Sequence, residues 1–290
     1  MANPIFGRGE GFVKHSAPQG YAPPRPQGYP QQQGFGYQQQ GYGSPQQAYA
    51  QQGYDPYATQ QQYQAPSGPV MTYDDVIAKT GVSLGGVFLI AAATFMLLPM
   101  ELLMPAWIVS AIAGLITVFV VAGRRVISPL ALGIYVLFEG VFIGAISKFF
   151  EFMWPGIVVS AVLATFVTAA VTLAVMKFAN IRVGTKFRQG VTIATIAFAG
   201  VVLVNFVLAL FGVDTGLREI GGGAGMLAIG VSAIAIVLAV LNLVMDFDSV
   251  RRGVEARVPA TESWRAALGI TVTMVWLYVE ILRILSYFRD

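Results

Sequence analysis

The chain has no cysteine and one histidine, His15, in 290 residues. Without cysteine there is no disulfide, no thiolate nucleophile and no sulfur-ligated zinc, and nothing marks the redox compartment. One histidine cannot furnish a zinc hydrolase or a Ser-His or Cys-His nucleophile with its parts. Charge is also scarce: Asp, Glu, Lys and Arg are 11% of residues, against ~25% in soluble domains. What remains is hydrophobic, at 56% of the chain. The net charge of +3 is no nucleic-acid signal, because the basic residues fall between apolar blocks, where they would face an anionic leaflet. The expected partner is the lipid bilayer, with no nucleic acid and no cofactor.

Seven apolar blocks fill the chain from Val82 onward: Val82–Leu98, Ala106–Gly123, Pro129–Ser147, Gly156–Met176, Gly190–Phe211, Ala224–Met245 and Trp264–Tyr287. Each approaches or crosses a hydrocarbon core of ~30 Å at about 1.5 Å per helical residue. The connections alternate in charge. Arg124 and Arg125, then Lys177, Arg182, Lys186 and Arg188, then Arg251, Arg252, Arg257 and Arg265 share one side. The other side holds Lys148 and Arg218, with Arg289 near the end of the chain. By the positive-inside rule the N-terminus is expected in the cytoplasm and the C-terminus outside. The expected fold is an all-α seven-helix bundle in the cell (inner or plasma) membrane. No signal peptide is expected before the first block, because residues 1–81 are polar.

Residues 1–70 form a separate segment ahead of a transmembrane domain at 71–290. The segment holds 16 glutamines, 10 of the 15 prolines and 8 of the 12 tyrosines. Gln-Gly-Tyr recurs at 19–21, 27–29, 40–42 and 52–54. With almost no aliphatic residues it cannot offset the entropy of ordering, so a disordered cytoplasmic tail is expected. Pro23, Pro24 and Pro26 would suit a short polyproline docking segment.

Enzyme chemistry finds little purchase. Gly221-Gly222-Gly223-Ala224-Gly225 follows no strand and lacks Gly-Lys-Ser/Thr, so it reads as a turn rather than a phosphate loop. Asp246 and Asp248 do not sit in the Gly-x-Gly-Asp context of an intramembrane aspartyl protease. The chain is expected not to be an enzyme.

Acids at membrane depth are costly and usually functional. Glu139 lies about ten residues into the third block, ~15 Å deep. Beside it Gly140 and Gly144 form a Gly-x-x-x-Gly pair that lets another helix approach. Asp246 and Asp248 are about 200° apart on the sixth helix. Asn242, Asp246 and Ser249 share a face, so Asp246 is expected inside the bundle and Asp248 at a solvated helix end beside Arg251 and Arg252. Glu280 shares a face with Thr273 and Gly269, and Arg283 one turn on could neutralise it. An ion or proton pathway and a purely structural pairing both fit these acids. The row Thr165, Thr168, Thr172 reads as packing glue.

Phe138-Glu139-Gly140 with Ile143-Gly144 resembles the third-helix signature of the Bax inhibitor-1, or transmembrane Bax-inhibitor-motif, family in its bacterial form. Met71–Thr80 resembles that family's amphipathic lead-in to the first helix. Leu243-Val244-Met245-Asp246 followed by Val250 is similar to its sixth-helix aspartate motif. Trp276-Leu277-Tyr278-Val279-Glu280 resembles its C-terminal helix. The likeness runs over residues 71–290.

The resemblance implies a bundle whose last helix is wrapped by six others, and a pH-sensitive calcium leak governed by two aspartates that share a proton. Asp246 takes the first role. The second falls to Thr273 or Glu280, seven residues and ~10 Å apart along one face. Oxygen groups at Glu139, Asp246, Glu280, Thr273 and Asn242 suit a hard cation in transit, with no tightly bound metal. Arg124 and Arg125 could latch Asp246, and Arg283 could latch Glu280. The alternatives are a proton-coupled carrier and a non-catalytic regulator that binds a membrane protease or an envelope protein as its membrane-protein partner.

Overall fold

A computed structural model describes residues 68–179 and 181–289. The Gln-Gly-Tyr repeats, His15 and the polyproline segment lie outside the described residues. Seven helices follow: α1 Tyr73–Leu97, α2 Leu103–Ala122, α3 Pro129–Met153, α4 Ile157–Phe178, α5 Thr185–Leu210, α6 Met226–Glu255 and α7 Glu262–Ser286. A short 3₁₀ turn, Met100–Leu102, leads into α2. All seven are long and apolar enough to span a bilayer.

Local chemistry explains the helix starts. Thr72 caps α1 by accepting from the Asp75 N–H at 3.2 Å, and Asp74 and Asp75 sit in its first turn, where the helix dipole favours negative charge. Ser128 caps α3 with Pro129 as the first helical residue, the position at which proline's missing N–H matters least. At α4 the carboxylate of Glu151 accepts from Gly156 N at 2.6 Å and Val158 N at 3.1 Å.

Several helices outrun their apolar blocks. α1 starts at Tyr73 rather than Val82, α5 at Thr185 rather than Gly190, and α6 runs to Glu255 rather than Met245. Hydropathy marks only the lipid-facing stretch, whereas backbone hydrogen bonding continues through the charged interfacial turns.

Burial defines the centre. The most apolar stretch of α7 is 83% buried, against 6% for α5. α7 packs on α1, α3, α4 and α6, while α2 sits on α3 and α5 on α6. The expected wrapping of the last helix by six others is therefore made chiefly by four. Ala266, Ala267, Gly269, Thr271 and Thr273 are all buried in α7, and such small residues let neighbouring backbones close in.

Glycine sets the α1–α3 contact. A methyl on Gly140 would lie 2.6 Å from Ile90 Cβ, and one on Gly144 2.5 Å from the Ala91 carbonyl oxygen. The Gly-x-x-x-Gly pair thus receives α1.

The α2–α3, α4–α5 and α6–α7 connections lie at one end of the bundle, here termed the basic end for their arginines and lysines. There the strand-like pair Val70 and Pro259 ties the start of the domain to the α6–α7 connection, through Met71 N to Val258 O at 2.8 Å and Ala260 N to Pro69 O at 2.9 Å. Lys79 reinforces this junction, donating to Asp75 at 2.7 Å and to the Ala260 carbonyl at 3.0 Å. Its ammonium also sits 4.9 Å from the centre of the Trp264 ring.

Candidate functional site

The α6 face that the helical spacing picks out is buried. Asp246 and Asn242 are each 1% exposed, as is Thr273 of α7. The Thr273 hydroxyl donates to Asp246 Oδ2 at 2.6 Å. One turn back, the Asn242 amide donates to Thr195 Oγ1 of α5 at 2.7 Å and to the Leu238 carbonyl at 2.8 Å. Polar groups from three helices therefore meet along α6, next to the centre of the bundle. An O–H···O bond of this length lies at the short end of the ordinary range.

On α7, Thr273 is in hydrogen-bond contact with Asp246. Glu280, seven residues on, turns to arginines. Its Oε1 accepts from Arg218 Nη2 at 2.7 Å, and its Oε2 lies 3.8 Å from Arg283 Nε. Arg283 Nη1 in turn donates to the Arg218 backbone carbonyl at 2.7 Å. The expected Glu280–Arg283 pairing exists, but Arg218 is the nearer partner.

Asp248 corrects the expectation of a solvated helix end. It is buried, paired with Arg188 of α5 at 2.8 Å and with Arg252 one turn on. The Val183 N–H approaches it at 3.4 Å. The start of α5 covers it, and that is not visible from the periodicity of α6 alone.

Glu139 is buried against α2. A methyl on Gly114 would come within 3.1 Å of its Oε2, and buried Tyr135 stands one turn back on the same helix. Its described contacts do not join it to Asp246 or Glu280. Among the described residues, no three acidic or histidine side chains gather as a metal ion would require.

Arg124 and Arg125 are exposed, and each offers its backbone carbonyl to Arg265 Nη2 at 2.8 Å. Arg265 thereby ties the α2–α3 connection to the first turns of α7, where it also pairs with Glu262 at 2.8 Å. On α4, Thr165 and Thr172 return their hydroxyls to carbonyls four residues back, each at 2.7 Å, in keeping with packing rather than pore lining.

Thr195, Arg188, Arg218 and Arg265 were not singled out from the sequence as site residues. Their only sequence signal is charge or polarity in an otherwise apolar context. Arg218 is the clearest case, as one of very few basic residues in the connections away from the basic end.

Comparison with known proteins fits this geometry. The family profile described as Bax inhibitor 1 like matches residues 9–290, reaching back into the Gln-rich segment, well ahead of residue 71. A search of curated proteins returned no match. With seven membrane-length helices and a match across nearly the whole chain, this multi-pass integral membrane protein belongs to the Bax inhibitor 1 like family.

Proposed function

We propose that the protein is a pH-sensitive cation leak channel, with Ca²⁺ as the transported ion, and that it works without catalysis. The observation that carries this reading is the buried Asp246–Thr273 hydrogen bond between α6 and α7, at 2.6 Å. A carboxylate held almost out of contact with solvent, beside the amide and hydroxyl of Asn242 and Thr195, supplies oxygen groups suited to a hard cation. Among the described residues too few carboxylates converge for tight binding, which favours passage over storage. Protonation of Asp246 removes the charge that draws the Thr273 hydroxyl and loosens the α6–α7 contact, giving the leak its pH response.

The basic end faces the cytoplasm of the cell (inner or plasma) membrane in this reading, because arginine and lysine concentrate there. The test is flux in reconstituted vesicles, comparing Ca²⁺ with K⁺ and H⁺ across a pH series. Ca²⁺ passage that varies with pH supports the proposal. Proton movement without Ca²⁺ would instead make the chain a proton-coupled carrier.

A further inference from the structure

α5 is the least embedded of the seven helices. Over Thr185–Leu210 it buries only Val191 and Thr195. It packs on α6, and its Phe198 ring stacks on Trp276 of α7 with centroids 5.9 Å apart. In a bilayer, lipid is as apolar as helix surface, so close packing and polar contacts decide how firmly a helix is held. α5 has little close packing and is fastened by polar groups at three levels. At the basic end Arg188 pairs with Asp248 at 2.8 Å. In the middle Thr195 accepts from Asn242 at 2.7 Å. In its last turns Asn205 hydrogen-bonds Thr215 of the following connection, and three residues after Thr215, Arg218 pairs with Glu280 at 2.7 Å. Thr195 and Phe198 lie one turn apart and cover Asn242 and Trp276, each a turn or less from Asp246 or Thr273.

We propose that α5 is a lid over the Asn242–Asp246 face, latched at its two ends by Arg188–Asp248 and Arg218–Glu280. Release of one latch exposes the polar face to the solution at that end while the other stays closed. The two latches differ in completeness. Asp248 is met by two arginines and a backbone N–H. At the far latch Arg218 Nη1, Glu280 Oε2 and Arg283 Nε are buried without hydrogen-bond partners. Buried polar groups without a hydrogen bond weaken whatever holds them, and the 3.8 Å contact between Arg283 and Glu280 is too long to supply one, so the Arg218–Glu280 latch opens first. The role of the lid rests on reading Asp246 as part of the ion route, but its movement can be measured without any flux.

The absence of cysteine makes the test direct. Ala239 is fully buried and precedes Asn242 by three residues on the same α6 face, so Ala239→Cys provides a single reporter thiol. A membrane-impermeant methanethiosulfonate is applied to sealed membrane vesicles of either orientation. The latched protein reacts slowly from both sides. Arg218→Gln or Glu280→Gln accelerates labelling from the far-end side by about tenfold, the scale of losing one buried polar contact, and leaves the basic-end rate unchanged. Arg188→Gln or Asp248→Asn does the reverse, and Arg218→Lys, which keeps the charge, stays near the parent rate. A monodisperse size-exclusion profile confirms folding, and the two variants at each latch guard against the loss of either one. Slow labelling in folded variants of both latches, or equal acceleration from both sides, overturns the lid. Side-specific labelling with no cation flux in any variant leaves the lid standing and removes the ion-route reading instead.

Discussion

Asp246 and Thr273 face each other across the α6–α7 contact, and the carboxylate depends on that hydroxyl for a short hydrogen bond in apolar surroundings. Thr273→Val keeps the shape and removes the donor. Depriving a buried acceptor of a partner costs ~1–3 kcal/mol, so the detergent-solubilised variant should melt measurably below the parent. Thr273→Ser, which retains the hydroxyl, should recover most of the loss. A valine variant melting with the parent would mean the bond contributes nothing net to the fold. The same scale separates the two α6 aspartates. Asp246 accepts from the Thr273 hydroxyl, whereas Asp248 is bracketed by Arg188 and Arg252.

Helix against helix, the α1–α3 contact is set by glycine. Any side chain at Gly144 would press on the backbone of Ala91, while Gly133 in the same helix has open space around it. Gly144→Ala should therefore destabilise the bundle by ~1–3 kcal/mol through overpacking, read as a lower melting temperature. Gly133→Ala should be neutral or slightly stabilising, because alanine is the better helix former. Equal effects at the two positions would mean that α1 yields freely. α5 lies at the opposite extreme, fastened by side-chain polar contacts with little close packing.

For the molecule as a whole, eleven Lys and Arg, Lys79 among them, stand at the basic end, against Lys148, Arg218, Arg283 and Arg289 at the opposite end. Reporter fusions after Ala179 should read cytoplasmic and fusions after Asp290 external; a cytoplasmic C-terminus would contradict this orientation. The seven helices were legible because apolar runs of membrane length have few other readings. Their charged ends, such as Asp246–Glu255 of α6, were not, since hydropathy ends where the helix leaves the lipid. The face bearing Asn242 and Asp246 was legible from helical spacing, which operates within one helix. Asp248's burial and Glu280's Arg218 partner were not, because α5 and the α5–α6 connection supply them from distant sequence. The same limit left Thr273 and Glu280 undivided in the sequence, although the Thr273 hydroxyl meets Asp246 and Glu280 meets Arg218.

The most direct test of a gating role for Asp246 is Ca²⁺ flux through reconstituted Asp246→Asn protein, followed across a pH series beside the parent. Asparagine imitates the protonated carboxyl and cannot titrate. The expected result is a leak raised at neutral pH, with the pH dependence flattened, in protein that remains folded and monodisperse. A folded variant that keeps both the parent's leak and its pH response would contradict the account and move the gate away from the α6–α7 pair.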